Sequence, residues 1–157
     1  MRDSRALADH LIRTIHGEMW HGPAVGELLI GVSPDAAAAH PVPGAHSIWE
    51  LVLHMTVWAE IAGQRLAGLA TKSPPPERDF PPAPAPTGDA WRAAVEGLDA
   101  AYQSLAEATA ALDEAQLEIR VPGQEYTARI LLHGVVEHGT YHGGQIALLR
   151  RALRVSP

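Results

Sequence analysis

Nine histidines and no cysteine stand in a chain of 157 residues, so strong metal ligation or nucleophile activation has to run through imidazole and carboxylate groups. His138 and His142 are four residues apart. On a helix they project from one face a single turn apart, which suits two ligands of one ion. That face continues through Leu131, Val135, Ile146 and Leu149, directing both imidazoles toward a core. On another helical stretch His54 shares a stripe with Leu51, Trp58 and Ile61 and also points inward, where an imidazole is costly unless hydrogen-bonded or metal-bound. A four-residue histidine pair alone is more often a surface or hydrogen-bonded pair. The inward third histidine is what brings a shared ion into view. His10, His16 and His40 read as surface residues, and His133 stands five positions before His138, about 140° away around a helix, which excludes it from the ligand set.

The elements that must position these residues are helical. From about Ser4 to Leu29 the positions Leu7, Leu11, Ile15 and Met19 recur at helical spacing, followed by Val25, Leu28 and Leu29, and predict a first helix kinked near Pro23. Ser33-Pro34 predicts a short turn of helix to Ala39, ended by Pro41 and Pro43. Ser47-Ile48-Trp49-Glu50 matches a capping box and starts a second helix that runs to about Gly68. Prolines at 74, 75, 76, 81, 82, 84 and 86 predict a stiff, extended, non-helical crossover from Thr71 to Gly88. A third helix, Asp89 to Ala111, carries the stripe Trp91, Val95, Leu98, Tyr102 and Leu105. After an irregular excursion around Pro122-Gly123, Thr127 caps a fourth helix from Ala128 to about Leu153.

Composition bounds the function. Apolar residues make up 46% of the chain with one Phe, a mixture of Leu, Val, Ile and Ala that favours helices, and the length fits one domain, residues 1–157. A net charge of −6, with no basic cluster denser than Arg150, Arg151 and Arg154, argues against nucleic-acid binding. The N-terminal stretch carries Asp and Arg among its apolar residues and no later segment could span a bilayer, so a soluble cytoplasmic protein without a membrane partner is the expectation.

The segments His21-Gly22-Pro23, His46-Ser47-Ile48-Trp49-Glu50-Leu51-Val52-Leu53-His54 and Glu137-His138-Gly139-Thr140-Tyr141-His142-Gly143-Gly144-Gln145-Ile146 together resemble the DinB-like (YfiT-like) superfamily. The resemblance implies an all-α four-helix bundle of up-down-down-up topology, whose parallel second and third helices need a long crossover of the kind the proline-rich segment offers. It implies that His54, His138 and His142 hold one divalent metal ion, zinc or nickel foremost. It further implies a homodimer.

Three neutral imidazoles leave coordination positions free, as in catalytic sites, and such an ion lowers the pKa of a bound water or thiol. Members of the superfamily include transferases and isomerases that use low-molecular-weight thiols, so the resemblance points to a metal-dependent thiol transferase acting on a small-molecule substrate. A hydrolase using metal-bound hydroxide fits the same ligands. A non-catalytic or stress-associated metal-binding bundle is the alternative from another class. A di-iron carboxylate bundle is rejected, because no Glu-x-x-His occurs. Around the ion Gln145, one turn after His142, is the foremost outer partner. Glu50 is taken by its cap, Glu137 faces away and Tyr141 lies off the stripe. Trp20, His21 and Trp49 are expected as pocket walls.

Overall fold

The computed structural model describes residues 3–69 and 72–155, and among these every regular element is helical: α1 (Asp3–Ile15), α2 (Val25–Leu29), α3 (Pro34–Ala38), α4 (Ile48–Leu66), α5 (Pro76–Asp79), α6 (Gly88–Ala111), α7 (Glu114–Leu117) and α8 (Ala128–Ala152). Four long helices carry the packing. α1 and α4 each pack on both α6 and α8, and one apolar core draws Leu11, Met55, Leu98 and Ile146, among others, from all four.

The expected second, third and fourth helices are α4, α6 and α8. Ser47 Oγ accepts from the Glu50 amide while the Glu50 carboxylate accepts from the Ser47 amide, the reciprocal cap that fixes where α4 starts. Thr127 caps α8 by accepting from Ile130, and Arg150 and Arg151 lie in its last turn, where cations face the negative end of the helix dipole.

The first expected helix is two elements. α1 stops at Ile15, residues 16–24 loop out through an isolated bridge between Met19 and Gly22, and α2 begins at Val25. Gly22 adopts φ +129°, a conformation in which a side chain is strained, and Pro23 follows. The helix has already ended at Ile15, seven residues before Gly22, so the pair shapes the loop instead of bending a helix, and Met19, outside α1, is only partly buried against the core that takes in Leu7, Leu11 and Ile15.

The proline-rich segment also departs from expectation. Thr71 lies outside the described residues, but Pro76 opens a helical turn, α5. A proline at the first helical position lacks only an amide that would have no partner there, so a proline run permits a turn provided the turn begins on its last member. α5 packs on α4 and ends by delivering Asp79 and Phe80 to its side. The excursion before α8 contains a further short helix, α7, opened by a capping box between Asp113 and Gln116, and an isolated bridge from Arg120 to Thr127.

α8 approaches its neighbours closely at one glycine. A Cβ on Gly139 would collide with Thr14 Cγ2 of α1 and stand 2.9 Å from the Tyr102 hydroxyl of α6. Gly139 lies between the two histidines of α8, so this contact sets how deep that part of the helix sits. Alanine favours a helix over glycine by roughly 1 kcal/mol, yet Gly139→Ala should lower unfolding free energy by about 1–3 kcal/mol through overpacking, measured by denaturant titration; a stabilised variant would show that the approach is loose.

Candidate metal centre

α4 contributes His54 from its second turn and α8 contributes His138 and His142 from its middle. The helices pack together, and the three imidazoles meet. Nε2 of His138 lies 3.0 Å from Nε2 of His54 and 3.0 Å from Nε2 of His142. All three candidate ligand atoms fall within 4.8 Å of one another. His54 and His142 are buried and His138 is partly buried.

The outer nitrogens decide where the protons are. Nδ1 of His54 is 2.7 Å from the main-chain carbonyl of Asp79. A carbonyl only accepts, so Nδ1 carries the hydrogen and Nε2 presents a lone pair. Nδ1 of His142 is 2.6 Å from Oε1 of Gln145, which assigns the same tautomer there. Two lone pairs therefore face Nε2 of His138, whose own Nδ1 is buried without a hydrogen-bond partner. A neutral imidazole has one proton to give, and three Nε2 atoms cannot all be satisfied by it. One cation at the shared point would serve all three. Two nitrogens bound to one ion at 2.0–2.1 Å stand about 2.9 Å apart at a right angle and about 3.4 Å apart at the tetrahedral angle, so the observed spacing fits a metal. The donor set is three neutral nitrogens, and His54, His138 and His142 could hold a divalent ion.

A proton is a poor substitute for that cation. Burial holds His54 and His142 below the ordinary histidine range, although the Asp79 carbonyl and Gln145 oppose the shift. Burial, followed by repulsion from His142 and His54, pushes His138 down to about 3. All three are neutral near pH 7, the protonation state that metal binding requires.

Around the triad stand groups that sequence reading had not singled out. The Asp79 carboxylate lies 3.2 Å from Nδ1 of His54 and accepts from Trp58 Nε1 at 2.7 Å, giving the cluster a carboxylate beside the His54 imidazole. Phe80 stacks on His54 at 3.9 Å with its ring 5° from parallel, and on its other face stacks on His46 at 3.8 Å. A cavity of about 400 Å³ opens beside His54 and His138 and is walled by Trp58, Tyr126, Leu131 and Val135, with Arg65 also in its lining. Asp79 and Phe80 sit in a segment without periodicity, so nothing in their spacing marked them.

Other expectations divide. Gln145 is the outer partner of His142, Glu50 is held by its cap, and Glu137 and His133 are exposed. Tyr141 is exposed as well, its ring 5.0 Å from that of His142. The expected pocket walls are wrong. Trp49 is fully buried against Trp91, while Trp20 is fully exposed and lines, with His21, a separate cavity on the far side of α8's stripe. The loop from 16 to 24 turns away from the triad once α1 ends at Ile15.

The protonation pattern has a measurable consequence. Below pH 6.5 the unfolded chain takes up protons on these histidines before the folded metal-free protein does, so folding stability falls as pH drops from about 6.5 toward 3. Denaturant unfolding of chelator-treated protein from pH 7.5 to 4 should show that slope, reduced in His138→Gln; an identical slope in the variant would mean that His138 is not held neutral.

No curated protein and no solved structure matches the chain. The profile of the DinB superfamily matches residues 23–146, a span that contains His54, His138 and His142 and the helices that bring them together, and the chain belongs to the DinB superfamily.

Proposed function

We propose that His54, His138 and His142 bind one divalent metal ion, zinc or nickel, in a small-molecule enzyme that activates a low-molecular-weight thiol or a water molecule. The observation that carries this reading is the meeting of three Nε2 atoms, on two buried histidines and one partly buried, that share at most one proton. The four long helices are read as an up-down-down-up bundle in one domain, with the segment from 67 to 87 crossing between α4 and α6, and the protein as a cytoplasmic homodimer.

When bound, the ion supplies Lewis acidity that lowers the pKa of a coordinated water or thiol. The chain's own residues do the rest. Asp79 and Gln145 hold the His54 and His142 rings in the tautomer whose Nε2 is free to ligate. Phe80 and Trp58 cover one side of His54 and keep water from it. The apolar cavity beside His54 and His138 receives the second reactant. No cysteine occurs in the sequence, so a thiol nucleophile comes from a separate molecule and no protein thiolate competes for the ion.

Protein purified without an affinity tag should contain about one ion per chain by mass spectrometry, and a His138→Ala, His142→Ala double variant should contain none. Wild type that takes up no metal on reconstitution defeats the reading. A purely structural ion is distinguished by its effect: it should raise stability strongly while a screen of thiol transfer and hydrolysis stays silent.

The two outer partners should differ in weight. Asp79→Ala removes a carboxylate but leaves the main-chain carbonyl on His54, whereas Gln145→Ala removes the hydrogen-bond partner that His142 Nδ1 has among the described residues. Chelator competition should give a loss of metal affinity of about tenfold or less for Asp79→Ala and roughly 10–100-fold for Gln145→Ala; the reverse order would mean that charge outweighs tautomer.

A further inference from the structure

Arg65 is the least explained charge in the molecule. It is 4% exposed, and no carboxylate lies within ion-pair distance of it among the described residues. Its partners are neutral: Nη1 donates to the Tyr126 hydroxyl at 2.7 Å, Nη2 to the Lys72 carbonyl at 3.4 Å, and the guanidinium lies 5.5 Å from the Trp58 ring centre. Nε is buried without an acceptor. An ion removed from water without a counter-charge costs several kcal/mol, and a surface arginine at the end of α4 would avoid that cost. Arg65 instead lines the cavity that His54 and His138 line at its other end.

We infer that Arg65 is the anchor for the carboxylate of a small amphipathic monoanion, whose apolar body lies along Trp58, Leu131 and Val135 and whose other end faces the histidine triad. The inference rests on the metal-site reading only for what happens at that far end. The cavity walls are predominantly apolar, and about 400 Å³ is the small end of the usual range for ligand pockets, which fits a single-ring or branched-chain body. A carboxylate is favoured over a phosphate. A guanidinium whose Nε has no acceptor and whose Nη2 has only a 3.4 Å bond to the Lys72 carbonyl keeps donors for a planar two-oxygen acceptor, and Arg65 is the sole permanent cation in the lining, one charge against one charge. Orientation follows from the other charges. Asp79, the acidic residue of the lining, is engaged with Trp58 and His54 at the triad end, where a second carboxylate would be repelled. A ligand turned the other way would leave Arg65 bare.

The test uses 4-phenylbutyrate and its neutral isostere 4-phenylbutanamide, titrated calorimetrically into the full chain with zinc, without zinc, and into the His138→Ala, His142→Ala variant. The carboxylate should bind wild type roughly ten- to hundredfold tighter than the amide, the fold-change expected of one charge-assisted pair. That preference should persist in the histidine variant and collapse in Arg65→Met, with amide binding retained. In the wild-type protein, nuclear magnetic resonance provides a check that needs no variant: the Arg65 Nε–H resonance should move downfield with 4-phenylbutyrate and stay in place with the amide. Equal binding of the two probes, or an unmoved Nε–H signal, overturns the inference. So does a preference that survives Arg65→Met and vanishes in the histidine variant, since the carboxylate would then be sitting on the ion. Zinc uptake without a carboxylate preference defeats the anchor and leaves the metal reading intact; the preference without zinc uptake does the opposite.

Discussion

Three imidazole Nε2 atoms brought together in a largely buried space, with at most one proton among them, form the constraint that the surrounding structure has to meet. Lone pairs facing one another at hydrogen-bond distance repel unless a proton or a cation stands between them, and burial strengthens the effect because water is not there to screen it. The fold accepts this at one place and removes the alternatives. The outer nitrogens of His54 and His142 are taken by acceptors, so neither ring can turn its hydrogen inward without losing a partner.

Holding that point together requires two helices at fixed depth and fixed rotation. The depth of α8 is set beside the site itself, where Gly139 lets Thr14 and Tyr102 approach its backbone. Its rotation is set by the apolar residues on the same face, Val135, Ile146 and Leu149, which are buried in the shared core. α4 is fixed at its start by the Ser47–Glu50 cap, whose Ser47 stands about two turns before His54. Both helices are long enough that their packing does not depend on the triad, so the histidines are carried by the core and do not create it.

How much of this was legible in the sequence follows from which interactions leave a periodic trace. His138 and His142 share a helical face with core leucines and valines, and His54 sits on the stripe of Leu51 and Ile61, so their convergence could be read before any coordinates. The capping box at Ser47 could be read for the same reason: its two partners are three residues apart. The break after Ile15 was missed because Met19 continues the apolar count into residues that are not helical and Val25 and Leu28 resume it in α2, and periodicity records residue type without recording backbone conformation. Asp79 and Phe80 were missed because they reach His54 across 25 and 26 positions from a segment whose prolines suppress any pattern. Arg65 read as an ordinary cation near a helix end; its burial depends on Tyr126 and on the chain around Lys72, neither of which its own neighbourhood in sequence announces.

The acceptor that fixes His54 is a main-chain oxygen, at Asp79. Every residue type supplies that atom, so the information that sets the tautomer is stored in the path of the chain and not in the identity of a side chain. A substitution at position 79 leaves it in place. Inserting or deleting a single residue between Pro76 and Phe80 would erase it, even if every side chain around the triad were kept. This part of the site is therefore tolerant of changes in spelling and intolerant of changes in length, the reverse of what holds for His138 and His142, where the meeting nitrogens belong to the side chains themselves.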